Sequence, residues 1–101
     1  MQLSTHDKSL IQHFFADLPV KRAFLFGSFA RDTVIKPSSD LDILVELDHS
    51  KPIGMRFFTF QADLQSLLKR KVDLVSSEGI SPYIKPRIDQ EKILIYERTG
   101  S

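Results

Sequence analysis

Asp40-Leu41-Asp42 runs directly into Ile43-Leu44-Val45, and this junction constrains the chain more than any other segment. The apolar centre predicts a strand over Leu41–Leu47. Side chains two apart on a strand point to the same face, so Asp40 and Asp42 project together. Two carboxylates placed so closely repel, and each raises the pKa of the other. The arrangement is unfavourable unless a cation or a basic group sits between them.

The neighbouring segments predict what this strand joins. Leu10, Ile11, Phe14, Phe15 and Leu18 recur at helical spacing between Ser4 and Pro19, with Ser4 or Thr5 as cap and Asp7 in the first turn. Ala23-Phe24-Leu25-Phe26, ended by Gly27, reads as a short buried strand. Thr33–Ser39, with Pro37, reads as a loop, and Pro52 and Gly54 mark a turn. A helix is predicted over Met55–Lys69, a strand over Val72–Val75, a short helix over Ser81–Gln90 and a last strand over Ile93–Tyr96. Strands alternating with helices indicate an α/β (α+β) domain, a small mixed sheet of about four strands with helices packed on it. A chain of 101 residues without repeats or linkers predicts one domain spanning residues 1–101. No stretch approaches the roughly 18 apolar residues of a membrane span. The polar N-terminus and the lack of cysteine fit a cytoplasmic protein. A net charge of +1 gives no field that would indicate nucleic-acid binding.

The chemistry concentrates in three places. Asp73 lies within the aliphatic strand Val72–Val75, where aspartate is disfavoured. If that strand pairs beside Leu41–Leu47, Asp73 joins Asp40 and Asp42 in a three-carboxylate cluster. Hard oxygen donors of this kind suit Mg²⁺, and such a cluster is the ligand set of a two-metal phosphoryl or nucleotidyl transfer site. Gly27-Ser28 follows a strand and opens a predicted short helix, Phe29–Arg31, a junction that presents backbone N–H groups to an anion. Gly27 lets backbone approach a phosphate, Ser28 adds a hydroxyl, and Arg31 lies about one turn on.

Gly27-Ser28, eleven residues, then Asp40-Leu41-Asp42 resembles the Gly-Ser…Asp-x-Asp signature of the nucleotidyltransferase superfamily that includes DNA polymerase β. Within it, FGSFARDTVIKPSSDLDILVEL resembles the minimal nucleotidyltransferase (MNT) group, and the resemblance extends over essentially the whole chain. It implies a palm-like fold with Asp40, Asp42 and Asp73 as catalytic carboxylates and ligands of two Mg²⁺ ions. Gly27, Ser28 and Arg31 would hold the nucleotide. It also implies transfer of AMP from ATP to a hydroxyl. In many MNT proteins the acceptor is a tyrosine of a partner HEPN-domain toxin, and the MNT chain acts as antitoxin. Two departures lie in the intervening loop: Asp32 stands where glycine usually follows Ala-Arg, and the spacing before Asp40 is about one residue longer than the commonest form. Two other functions compete, a non-catalytic module that neutralises a HEPN partner by occlusion and a small-molecule nucleotidyltransferase.

Several residues carry plainer readings. Asp73 alone could be an edge-strand charge paired with Lys71, and Glu46 a solvated strand end. His6, His13 and His49 lack metal-ligand spacing. Lys69-Arg70-Lys71 reads as a solvated helix end that favours the helix dipole. Phe57, Phe58 and Phe60 read as core, although they cannot all share one helix face.

Overall fold

A computed structural model describes residues 3–31, 40–48, 50 and 55–98. The expectations that fall on Asp32, the Thr33–Ser39 loop, His49, Pro52 and Gly54 lie outside the described residues. The described elements are α1 (Thr5–Ala16), β1 (Val20–Phe26), β2 (Leu41–Leu47), α2 (Arg56–Leu68), β3 (Val72–Ser76), α3 (Lys85–Glu91) and β4 (Ile93–Glu97). Two 3₁₀ turns, Gly27–Phe29 and Ser77–Gly79, follow β1 and β3.

The strands form one sheet in the order β3-β2-β1-β4. β1 runs antiparallel to both β2 and β4, whereas β2 and β3 are parallel and joined by α2. The sheet is therefore mixed, as expected, and β2–α2–β3 is its crossover unit.

Alternation sorts the side chains between two faces. Ala23, Leu25, Leu41, Ile43, Val45, Val72, Leu74 and Ile95 are buried on one face beneath Ile11 and Phe15 of α1 and Phe60 and Leu64 of α2. Ser4 caps α1 by accepting a hydrogen bond from the Asp7 amide at 3.1 Å. The other face carries Asp42, Leu44 and Glu46 of β2, and their partners on β1 are Phe26, Phe24 and Arg22. Both helices that supply the main core lie against the first face, which leaves the second for polar chemistry.

The outer edges of the sheet are closed by glutamines. The Leu41 amide donates to the Lys71 carbonyl at 3.0 Å, so Val72 and Leu74, of alternate parity, direct their amides away from β2. Gln65 Oε1 accepts from the Val72 amide and Gln61 Oε1 from the Leu74 amide, each at 3.0 Å. These two glutamines, one helical turn apart, satisfy donors that would otherwise recruit another strand. On the opposite edge, Gln12 Nε2 donates to the Ile95 carbonyl at 3.0 Å.

Several sequence-based expectations need adjustment. The first strand begins at Val20 rather than Ala23, and the third helix begins at Lys85, with Pro86 in its first turn where no amide partner is needed. α2 ends at Leu68, and Lys69 adopts a left-handed conformation with φ 53°. The basic run therefore lies beyond the helix rather than in its last turn. Phe60 is buried and Phe57 packs against the core, but Phe58 is 67% exposed. His6 and His13 are exposed.

Candidate active site

The parallel register of β2 and β3 makes Asp42 and Asp73 direct partners, so both side chains lie on the same face. Asp40 precedes β2 by one residue and shares that side by the two-residue period. The three aspartates singled out in the sequence therefore lie on one side at one end of the sheet, away from the main core. Asp40 and Asp42 are half-buried and Asp73 is exposed.

Burial raises the Asp42 pKa most, and the Asp73 and Asp40 carboxylates raise it further, to about 6 from 3.8. The Arg31 guanidinium opposes that rise, while Glu91 adds to it. Lys71 does not pair with Asp73. Its Nζ lies 3.8 Å from Asp40 Oδ2, and that amine is three-quarters exposed, so it compensates the cluster weakly.

Gly27 occupies the opposite wall. It follows Phe26, the β1 partner of Asp42, and has φ +72°. A Cβ at Gly27 would fall on Asp42 Oδ2 and stand 3.1 Å from Asp42 Cγ. Glycine is required here twice, by the backbone conformation and by the approach of a carboxylate. The turn that follows is a 3₁₀ helix over Gly27–Phe29, not the short helix expected over Phe29–Arg31. The Ala30 and Arg31 amides both donate to the Gly27 carbonyl at 3.1 Å. Phe29 anchors the turn in the core, and the Arg70 guanidinium lies 4.9 Å from its ring centroid. Ser28 sits half-buried between these anchors.

Sequence reasoning missed Glu91. From the C-terminal end of α3, its Oε1 accepts the Gly27 amide at 3.0 Å and its Oε2 lies 3.7 Å from Arg31 Nε. The Gly27 amide, expected to face an anion, is thus already engaged, and Arg31 is engaged in the same contact. One signal was available: acidic residues in the last turn of a helix oppose its dipole and need an explanation. Asp89 has a local one in Lys85 and Lys92, at 2.6 and 3.0 Å. Glu91 finds its partners across the sheet. Glu46, by contrast, accepts from Arg22 Nη1 at 2.8 Å and takes no part in the cluster.

Among the described residues no three His, Cys, Asp or Glu side chains already converge into a metal-ligand set. The donors nonetheless fit a hard divalent cation, being three carboxylates on one face with Asp42 desolvated and surrounded by like charge. Among the described residues, concavities lie elsewhere. One of about 360 Å³ is lined by Lys21, Arg22, Asp48, Glu97 and Arg98, and neither it nor a second, beside Lys69–Lys71, includes any of the three aspartates. Donor chemistry rather than cavity size therefore marks the site.

Comparison with known proteins bears on the fold and the family. Residues 8–100 match the family model described as polymerase beta, nucleotidyltransferase. A Methanocaldococcus jannaschii protein named "Putative protein adenylyltransferase" is 38% identical over 74 residues, covering 73% of this chain and 77% of its own length. Among solved structures, one described as a "putative minimal nucleotidyltransferase" superposes with a TM-score of 0.73 at 27% identity, covering 87% of this chain and 88% of that one. A second, a tri-AMPylated Shewanella oneidensis HEPN toxin in complex with its MNT antitoxin, superposes with a TM-score of 0.71 at 20% identity. It covers 97% of this chain and 74% of that one.

Proposed function

This chain belongs to the polymerase β nucleotidyltransferase family, and from that membership we propose that it transfers AMP from ATP to a hydroxyl of a partner protein in the cytoplasm. The observation that carries the proposal is the pairing of Asp42 with Asp73 across parallel strands, with Asp40 alongside and the Gly27 turn facing them. Asp40, Asp42 and Asp73 would hold two Mg²⁺ ions, which when bound supply neutralisation of the triphosphate charge and a lowered pKa for the acceptor hydroxyl. The turn at Gly27 and Ser28 seats the triphosphate, and Arg31 lies close enough to share its charge. Gly27 contributes the shape of that turn.

In the reaction the acceptor oxygen bonds to the α-phosphorus of ATP and the bond from that phosphorus to the β-phosphate oxygen breaks. Pyrophosphate leaves, and Asp73, the most exposed of the three carboxylates, takes the hydroxyl proton. Much of the rate of such a transfer comes from holding nucleotide and acceptor in line. Asp73 is exposed, so a partner surface can present its hydroxyl to the acidic cluster. The solved complex of a HEPN toxin carrying AMP with its MNT antitoxin supports a HEPN toxin as that partner and an antitoxin role for this chain; a tyrosine as acceptor follows from the resemblance to the MNT group.

Incubation with labelled ATP, Mg²⁺ and the product of the adjacent gene tests the reading. Mass spectrometry should find one or more AMP groups on a partner tyrosine, dependent on Mg²⁺ and abolished by Asp42→Asn. A stable complex with no modified partner would favour neutralisation by occlusion instead.

A further inference from the structure

Glu91 has no role in the chemistry just described, yet it reaches into the site from the far end of α3. Its two oxygens are divided between the two ends of the phosphate turn, Oε1 on the Gly27 amide at 3.0 Å and Oε2 toward Arg31 Nε at 3.7 Å. The side chain is only 18% exposed, so the contact is sheltered from water and weakly screened. It also places a fourth carboxylate near Asp42, which already carries like-charge repulsion from two others. An arrangement with that electrostatic penalty persists where it holds something in place.

The held element is the turn. Gly27 has φ +72°, a conformation open to several alternatives in a glycine, and Asp42 packs against its Cα. With its amide fixed by Glu91 and its carbonyl fixed by the Ala30 and Arg31 amides, Gly27 is restrained on both sides of the residue. Arg31 is held at the same time on the side of the turn that faces Asp42, whose charge it offsets. We propose that Glu91 is a positioning residue that clamps the Gly27–Arg31 turn in its triphosphate-binding shape before the nucleotide arrives. The inference rests on the nucleotidyl-transfer reading for its ligand, but the clamp itself exists or fails independently of that reading.

Two variants separate the clamp from general stability. Glu91→Gln keeps an oxygen acceptor for the Gly27 amide but replaces the carboxylate oxygen facing Arg31 by an uncharged NH₂ donor, whereas Glu91→Ala loses both contacts. In the nucleotide-free protein, the Gly27 amide should exchange with solvent at least about tenfold faster in Glu91→Ala, with protection retained in Glu91→Gln. Calorimetry with Mg²⁺ and ATP should show about tenfold weaker binding for Glu91→Ala and a loss of under about threefold for Glu91→Gln. In transfer assays the KM for ATP should rise more than kcat falls. Unchanged Gly27 exchange in Glu91→Ala overturns the clamp. So does an equal loss of ATP affinity in both variants, because the conservative change would then rescue nothing. If the unaltered protein binds no ATP, the nucleotide reading falls, and the Gly27 exchange rates still decide whether the clamp is present.

Discussion

Replacing Asp42 by Asn should make the metal-free protein more stable at neutral pH, although it should abolish the proposed activity. Burial, with help from Asp73 and Asp40, places the Asp42 pKa at about 6 in the folded chain against 3.8 when free. A folded pKa above the unfolded one means that ionisation is disfavoured by folding. The resulting destabilisation is absent below about pH 4, grows between about pH 4 and 6, and is complete above that. Each pH unit of displacement corresponds to about 1.36 kcal/mol, which sets a ceiling near 3 kcal/mol. Asp42 is only half-buried, and solvent screening reduces the expected effect to about 1–2 kcal/mol.

Asn preserves the shape and removes the charge. Its unfolding midpoint should therefore exceed that of the unaltered chain by about 5–10 °C at pH 7.5 without divalent ions. Thermal melts followed by far-ultraviolet circular dichroism at pH 4, 5, 6 and 7.5 would trace the difference. Carboxylates other than Asp42 titrate in both proteins, so the gap between the two curves isolates the one residue. It should close as the pH falls toward 4. Adding Mg²⁺ at tenfold over its dissociation constant should raise only the unaltered chain, by about 1.4 kcal/mol, and narrow the gap from the other side. Parallel stability curves for the two proteins across this pH range would refute the electrostatic account, and indifference of both to Mg²⁺ would remove the metal assignment.

Mg²⁺ affinity should fall as pH drops through about 6, because a proton competes with the ion at Asp42; a calorimetric dissociation constant unchanged from pH 7.5 to 5 would contradict this. Gly27→Ala should destabilise the fold by about 1–3 kcal/mol, since φ is +72° and the new Cβ meets the Asp42 carboxylate; urea titration reads the loss. Gln61→Ala combined with Gln65→Ala should cost about 1–3 kcal/mol in the same assay and promote self-association through the uncovered edge of β3, visible by light scattering. Phe60→Ala should cost about 3–5 kcal/mol while Phe58→Ala stays within about 0.5 kcal/mol, because only the first ring is buried.

The periodicity of the chain reveals its elements because each one buries a single face: Ile11 and Phe15, Phe60 and Leu64, and the alternating residues of β2 all carry that signal. What periodicity does not contain is partner choice. The Val20 start of β1 was hidden because Lys21 and Arg22 interrupt the apolar run; Arg22 is in the strand through pairing with β2 and β4, and Lys21 is the extra residue at a bulge beside it. The 3₁₀ turn at Gly27–Phe29 likewise depends on Phe29 finding the core and on Glu91 holding the Gly27 amide. Glu91 is separated from Gly27 by 64 positions, so only the folded chain brings them together.

Glu46 and Asp42 show why a site cannot be read from residue type alone. Both are acidic, both belong to β2, and both lie on the same face of the sheet. Glu46 is opposite Arg22, whose guanidinium also binds Glu97 at 2.7 Å, so its charge is matched by a neighbour across the strand. Asp42 is opposite Phe26 on one side and Asp73 on the other, and neither can compensate it. The nearest offset comes from Arg31, which Glu91 already engages. One carboxylate is therefore satisfied within the protein, and the other retains a demand for positive charge that an external cation can meet. That difference is set by the residues on β1 and β3 opposite each position. The chemistry of this sheet is consequently a property of its strand order, which brings Asp73 beside Asp42 and Arg22 beside Glu46.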